Sequence, residues 1–373
     1  MDKSFTGDLN QEFELQIGER WYDADGLAEL TGNEFTEQEK LALDFCRKWM
    51  IGQGTFTVQT SGSTGNPKKI SVSRERMKYS AAMTLSALRI EEGSSALLCI
   101  NAAYIGGIMM LVRAMVGGLK LAVRTPSSTP LSAMEENVTF AAIVPMQLQG
   151  ILNGPEEDRA VLDRMKAVIV GGAPMDENLE KQTENVTAPV YATFGMTETV
   201  SHFALRRING PGAAPYFTAF EEMELATDER GCLMVKGPVT EEKWVTTNDI
   251  IDLQPPGRFR WIGRADNVIN SGGVKLHPEK IERKLNTIWV EMGLQEAFFT
   301  IGLPDERLGE KLALFIEGKK LTAQILDKLR SEMHRRLDAY EVPRNISFVP
   351  EFARTETGKV RRKDTAMALT ESR

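Results

Sequence analysis

From about residue 70 the chain alternates helical patterns with short apolar runs: "RERMKYSAAMTLSALRI", "ALLCI", "IGGIMMLVRAMVG", "KLAVR", "TFAAIV", "MKAVIV" and "APVYATF" follow one another. No other feature limits the fold so tightly. Such alternation is the pattern of strands joined by helical crossovers, which predicts an α/β core with a mostly parallel sheet covered on both faces. After Pro215 the texture changes. The segment "EEMELATDERGCLMVKG" places the turn "DERG" between two alternating runs, as in a hairpin, and predicts a small antiparallel β subdomain.

A third texture follows "RFRWIGRADNVINSGG". There the helical pattern "HPEKIERKLNTIWVEM" leads into "EAFFTIG" and "LALFIEG", then "AQILDKLRSEMHRRL" and "NISFVP", which reads as a compact α+β unit. A chain of 373 residues is too long for one core of ordinary size. The expected division is a large α/β domain over 1–265 and a mobile C-terminal α+β domain over 266–373, with the boundary near Arg264 to Asn267. The polar tail after Asp364 is expected to fray.

The chain carries 45 Lys and Arg against 52 Asp and Glu, a formal charge of -7, which disfavours nucleic acid and acidic membranes as general partners. A homodimer is left open. Cys46, Cys99 and Cys232 are scattered and odd in number, so they fit buried apolar positions in a reducing cytoplasm better than a disulfide framework or a zinc site. The N-terminal residues contain no apolar core segment and no cleavage site, and a cytoplasmic location is expected. The most apolar stretch, at 104 to 124, is interrupted by Arg113 and Lys120, too often for a membrane span. It reads as a core helix followed by a strand.

"TSGSTGNPKK" at 60 to 69 sits between the strand pattern "TFTVQ" and the helix start "SRERMKYS". Strand, glycine loop and helix form a phosphate-binding arrangement in which backbone N–H groups, hydroxyls and lysines converge on oxyanions. The spacing departs from a Walker A loop, because Gly62 and Gly65 are three apart and Lys68 follows Pro67. A solvated Gly/Ser turn is the bland alternative. The hydroxyls of Thr60, Ser61, Ser63 and Thr64, with Lys68 and Lys69, favour phosphate.

Three further stretches join it: "YATFGMTET" at 191 to 199, "GRADNVINSGGVKLHPEKIE" at 263 to 282 and "RTETGKVRR" at 354 to 362. In order and spacing, the four resemble the signature motifs of the adenylate-forming acyl/aryl-CoA ligase superfamily, from residue 60 to the end of the chain. The short length and the block "FGMTETVSH" are most similar to the o-succinylbenzoate–CoA ligases of menaquinone biosynthesis. Two departures stand out. Only 59 residues precede the loop, so the usual first N-terminal subdomain is expected to be reduced or missing. Where relatives often carry a histidine before a Gly pair, this chain has "NAAYIGG", making Tyr104 the aromatic gate to the acyl pocket.

The resemblance implies a two-step reaction. A carboxylate attacks the α-phosphorus of ATP to give acyl-AMP and pyrophosphate, and the thiol of coenzyme A then displaces AMP. An anion attacking a polyanion needs positioning and charge neutralisation. Glu198, with Thr197 beside it, would hold Mg²⁺ across the phosphates, since a hard cation prefers carboxylate and phosphate oxygens. Taken alone, Glu198 reads as an exposed glutamate capping a helix.

"VIVGGAPM" runs a strand into the Gly171–Gly172–Ala173–Pro174 turn, a close backbone approach suited to adenine. Phe194, followed by Gly195 and Met196, would stack on the base. Asp249 matches the acid that binds the ribose, and Arg264 the arginine at the domain junction. Lys359 would be delivered by the moving domain to bridge the attacking carboxylate and the phosphoester oxygen. Asp266 matches the hinge, while Ser271, Gly272 and Gly273 would line the pantetheine tunnel. Ser201 and His202 are expected near the acid, Met146 and Gln147 as walls, and Arg206 and Arg207 as counter-charges or surface arginines. Ligation of another acid, loading of a carrier protein, or a silent nucleotide-binding protein remain as alternatives.

Overall fold

A computed structural model of the chain describes residues 9–32, 34–59, 69–134, 137–354 and 360–371. The hairpin β1 (Glu14–Ile17) and β2 (Arg20–Tyr22) is followed by α1 (Ala24–Glu29) and α2 (Glu37–Met50). α2 begins where the Thr36 side chain and Glu39 cap one another, which satisfies backbone donors that a helix start leaves open. β3 (Thr55–Gln59) and β4 (Lys69–Ser73) pair with each other, and Ser73 then caps α3 (Arg74–Leu88).

The alternating segment gives β5 (Ser95–Leu98), α4 (Ile105–Gly117), β6 (Lys120–Val123), β7 (Phe140–Ile143), α5 (Pro145–Leu152), α6 (Glu156–Asp163), β8 (Ala167–Val170), α7 (Glu177–Thr183) and β9 (Val190–Gly195). β9, β8, β7, β5, β6 and β1 lie side by side and parallel, as the pattern predicts. Alternate strand residues feed two cores. Ala96, Leu98, Leu121 and Val123 face α2, α3 and α4, whereas Leu97, Ala122, Ala141 and Val168 belong with the core of α5, α6 and α7. α4 is buried from Gly107 to Gly117, Arg113 included. Among the described residues no helix is long and apolar enough to cross a membrane.

β10 (His202–Arg207), β11 (Phe217–Ala219), β12 (Glu224–Thr227), β13 (Cys232–Lys236), β14 (Val245–Gln254) and β15 (Arg258–Arg264) are antiparallel. They extend the parallel sheet, because β10 bonds directly to β9, and the result is one sheet of 13 strands. The "DERG" turn joins β12 and β13, with Asp228 accepting from the N–H groups of Arg230 and Cys232. Cys46, Cys99 and Cys232 are buried and free, and burial pushes the first two thiols up to about 12.

A second sheet begins five residues after β15 ends. It contains β16 (Ile269–Ser271), β17 (Val274–Leu276), β18 (Phe298–Asp305), β19 (Gly309–Glu317) and β20 (Asn345–Val349). α8 (Pro278–Glu291) and α9 (Ala323–Arg336) supply the apolar layer on one side. The tail does not fray within the described residues: α10 (Arg362–Glu371) is a helix. Ala366 and Leu369 on it, with Val360 before it, pack against Phe299 and Phe315, which the local polarity of the tail conceals. The two sheets touch through α8. The Arg283 guanidinium donates to the carbonyls of Trp261 and Ile262, and Thr287 Oγ1 donates to Glu177.

Candidate active site

The chain leaves β5 for β6 on one side and later takes up β7 on the other, so its direction of travel reverses at β5 and β7. In open α/β sheets the crevice outside the C-terminal strand ends at such a point is where ligands bind. Four segments meet that edge: 99–104 after β5, Val144 and the first turn of α5 after β7, 171–174 after β8 and 196–201 after β9. They carry Tyr104, Met146, Gln147, Gly171 to Pro174, Thr197, Glu198 and Ser201, so these expected site residues share one edge.

Gly171 and Gly172 are held by geometry. A Cβ on Gly171 would meet Thr193 Oγ1 at 2.3 Å, and Gly172 has φ +84°. Both requirements exclude side chains. Ala173 and Pro174 are exposed beside them. Phe194 packs edge-on against Phe203, Phe217 and Phe259, with centroids 5.0 to 5.8 Å apart, and is only partly buried.

The turn over 196–201 is built tightly. Thr199 Oγ1 lies within hydrogen-bond reach of the carbonyls of Met196 and Ser201, at 3.0 and 2.8 Å, the N–H of Ser201 reaches Thr199 O at 2.7 Å, and Val200 adopts φ +66° while fully buried. A positive φ at a β-branched residue is strained by about 1–3 kcal/mol and persists only where surroundings impose it. Gly195 permits the close approach, since a Cβ there would lie 2.2 Å from Ser201 O. Arg76 braces the turn from α3, donating to Glu198 O at 2.5 Å and to Val239 O at 2.6 Å. The Glu198 side chain is exposed and forms no salt bridge among the described residues. No cage of three or more His, Cys, Asp and Glu occurs among those residues. A single open carboxylate fits magnesium, which takes one or two carboxylates and completes its shell with phosphates and water.

Behind the turn runs a buried polar chain that sequence reasoning missed in part. Arg113 is 1% exposed; its Nη2 donates to Ser201 Oγ at 3.1 Å and its Nη1 lies 3.7 Å from Met110 Sδ. Its Nε has no hydrogen-bond partner and the guanidinium no salt bridge among the described residues, and burial pushes it down to about 9. Ser201 Oγ lies 3.4 Å from His202 Nδ1, while His202 Nε2 meets Thr84 Oγ1 at 3.0 Å and Thr84 donates to Ser80 O. Arginine only donates, so the proton order runs Arg113 to Ser201 to Nδ1, then from Nε2–H to Thr84 and on to the carbonyl. Burial, then the Arg113 charge, holds the imidazole well below its usual value, so it is neutral. Ser80 Oγ is likewise buried without a partner among the described residues. A charged residue inside the apolar run "IMMLVRAMV" was the available signal.

Other expected residues are placed differently. The glycine loop joins β3 to β4, so the strand–loop–helix unit is overturned: the alternation of Ile70 and Val72 makes a second strand, and α3 starts five residues beyond Lys69. Thr60, Ser61, Gly62, Ser63, Thr64, Gly65 and Lys68 lie outside the described residues, as does Lys359. Lys69 is exposed at the start of β4. Gln147 is no open wall. It is buried, and its amide donates to Cys99 O and Ser127 O at 2.8 and 2.9 Å, whereas Met146 is 68% exposed. Arg206 is ion-paired with Glu180, and Arg207 lies over Tyr191 and donates to Asn209 O, so neither is a free counter-charge.

At the junction, Asp249 accepts from Trp261 Nε1 at 2.9 Å and lies 3.7 Å from Arg264 Nη1; burial raises its carboxyl above the usual value. Arg264 grips Asp266 with two bonds of 3.0 and 3.1 Å. Burial opposes ionisation of Asp266, but the guanidinium wins and holds that carboxyl below the usual range. Ser271, Gly272 and Gly273 form the β16–β17 turn, with φ +58° and +84° at the glycines.

The family model described as "AMP-binding enzyme" matches residues 54–239, and that of the "AMP-binding enzyme C-terminal domain" matches 292–359. A 2-succinylbenzoate–CoA ligase of Listeria monocytogenes is 25% identical over 360 residues, spanning 90% of this chain and 73% of its own length. A feruloyl-CoA synthase of an Amycolatopsis species is 26% identical over 339 residues, 81% of this chain and 67% of its own. Among solved structures, an acyl-CoA synthetase (AMP-forming)/AMP-acid ligase II-like protein from Dyadobacter fermentans is 40% identical, with a TM-score of 0.63, over 93% of this chain and 98% of that one.

Proposed function

We propose that this chain, which belongs to the AMP-binding enzyme family and is an AMP-forming acid–CoA ligase, activates o-succinylbenzoate and transfers it to coenzyme A for menaquinone synthesis. The observation that carries the substrate is Arg113. A guanidinium in the dry interior with an unused donor costs stability unless an anion completes it. A ligand carboxylate is the simplest such anion. Because the carboxylate being activated must face ATP, an acid that also satisfies Arg113 carries two carboxylates, as o-succinylbenzoate does and ferulate, benzoate or hexanoate do not. The Listeria relative supports the same choice.

In this reading Glu198 holds Mg²⁺, which supplies neutralisation of the phosphate charge. Lys68, Lys69 and the hydroxyls of the 60–65 loop bind the triphosphate, Phe194 and the Gly171–Pro174 turn bind adenine, and Asp249 binds the ribose. Lys359 bridges the attacking carboxylate and the phosphate, Arg264 assists, and the C-terminal unit over 266–373 turns about Asp266 to bring Ser271, Gly272 and Gly273 to the thiol. The reaction is placed in the cytoplasm, where three free cysteines persist.

Pyrophosphate exchange with Mg-ATP and a panel of acids tests the assignment. The dianion should exceed benzoate and hexanoate by at least about 10²-fold, the discrimination expected when a buried polar group is left unpaired. Arg113→Met should remove that preference. Equal exchange with all three acids in the wild type would discard the substrate and keep the family.

A further inference from the structure

We infer that Gln38, on a helix outside the matched family region, is a positioning residue for the acid-binding wall. This rests on the reading of Tyr104 and Arg113 as parts of that wall. Gln38 is 4% exposed; its Nε2 donates to Ile100 O at 2.8 Å and its Oε1 accepts from the N–H of Ala102 at 3.0 Å. Both polar atoms of the amide group are therefore spent on the 99–104 loop.

The loop is held from two layers. At the end of β5 the carbonyls of Cys99 and Ile100 are taken by different glutamines, Gln147 from α5 and Gln38 from α2. Asn101 fixes the rest of the loop: its side chain accepts from the N–H of Ala103 at 2.8 Å and its carbonyl from the N–H of Tyr104 at 3.2 Å. The loop also lies flat on the first turn of α4, where a Cβ on Gly107 would come within 2.4 Å of Asn101 O. Tyr104 caps that helix, and Arg113 sits further along it. A shift at Ile100 is thus passed to both residues.

Gln38 has a firm base. It lies in the first turn of α2, whose Thr36–Glu39 box is tied to the β1–β2 turn by the Gly18 N–H donating to Glu39 at 2.6 Å. The sheet edge, the helix start and the loop are linked by hydrogen bonds whose partners are all named. A glutamine serving stability alone would have no reason to affect one substrate more than the other.

The test compares Gln38→Met, which keeps volume, and Gln38→Glu, which keeps the acceptor and opposes a carboxylate to Ile100 O. Pyrophosphate exchange gives the KM for o-succinylbenzoate and for ATP, and thermal unfolding is recorded alongside. We expect the acid KM to rise about tenfold in each, the loss of one to two net hydrogen bonds, with the KM for ATP within about twofold. Two KM values rising together, or a lowered melting temperature with both unchanged, would overturn the inference. A wild type that exchanges with no acid would remove the proposed function and this inference with it.

Discussion

His202 and Arg113 share one dry pocket, and the neighbour's charge is part of why the imidazole stays neutral. The consequence is a pH dependence. An unfolded histidine titrates near 6.5, while His202 in the fold refuses the proton until well below that. Under about pH 6.5 the unfolded chain binds a proton that the native chain does not, so stability falls as pH drops, by up to about 1.4 kcal/mol per unit, and is fully present above that range. Urea unfolding at pH 5, 6 and 7 should show this slope, and His202→Gln should flatten it. Tyr104, Gly171 to Pro174, Thr197 and Glu198 could be named from short stretches with a chemical reason, and the fold brings them to one sheet edge. Arg113 was visible only as an interruption of an apolar run, and the sequence had no means of naming Ser201 or Thr84 as its neighbours.

At the scale of elements, periodicity carried most of the reading. β5 to β9, α3, α4, α8 and α9 fall where apolar spacing put them, because strands and helices record burial locally. β1, β2, α1, α2 and α5 to α7 went unread, and two further elements, β4 and α10, ran against expectation. β4 is a short alternation wedged between a glycine loop and a helix cap, and the loop's chemistry drew the eye past Ile70 and Val72. α10 is flanked by charged and polar residues, and Ala366 and Leu369 on it pack with Phe299 and Phe315 across the fold. The 196–201 turn offers a test of local fit. Gly195→Ala would drive a methyl into the backbone of Ser201 and His202, with contacts of 2.2 and 2.4 Å before relaxation. A loss on the order of 1–3 kcal/mol is expected, read from the urea midpoint, together with weaker Mg-ATP binding by calorimetry as Glu198 moves. An unchanged midpoint would show that the turn relaxes without cost.

Over the whole molecule, the two sheets meet at a junction made of charged groups: Asp249, Arg264, Asp266 and Arg283. Polar contacts of this kind can be exchanged for water at little cost, as the proposed turning of the C-terminal unit about Asp266 requires. Lys359→Ala should lower acyl-AMP formation by about 10²–10³-fold, the loss of one well-placed charge, yet still convert preformed acyl-AMP and CoA to thioester. Asp266→Pro should do the reverse, since a fixed φ resists rotation. Single-turnover assays of each half-reaction separate the two; equal damage to both steps by both variants would argue for a single pose. The large sheet has a further consequence, for the chain's birth on the ribosome. β1 meets β2 at once, but its other edge pairs with β6, Glu14 opposite Lys120, so that partner comes about a hundred residues later. At roughly 5–20 residues per second that is on the order of 5–20 s, during which Phe13 and Leu15, both sealed in the finished core, lack the layer that will cover them.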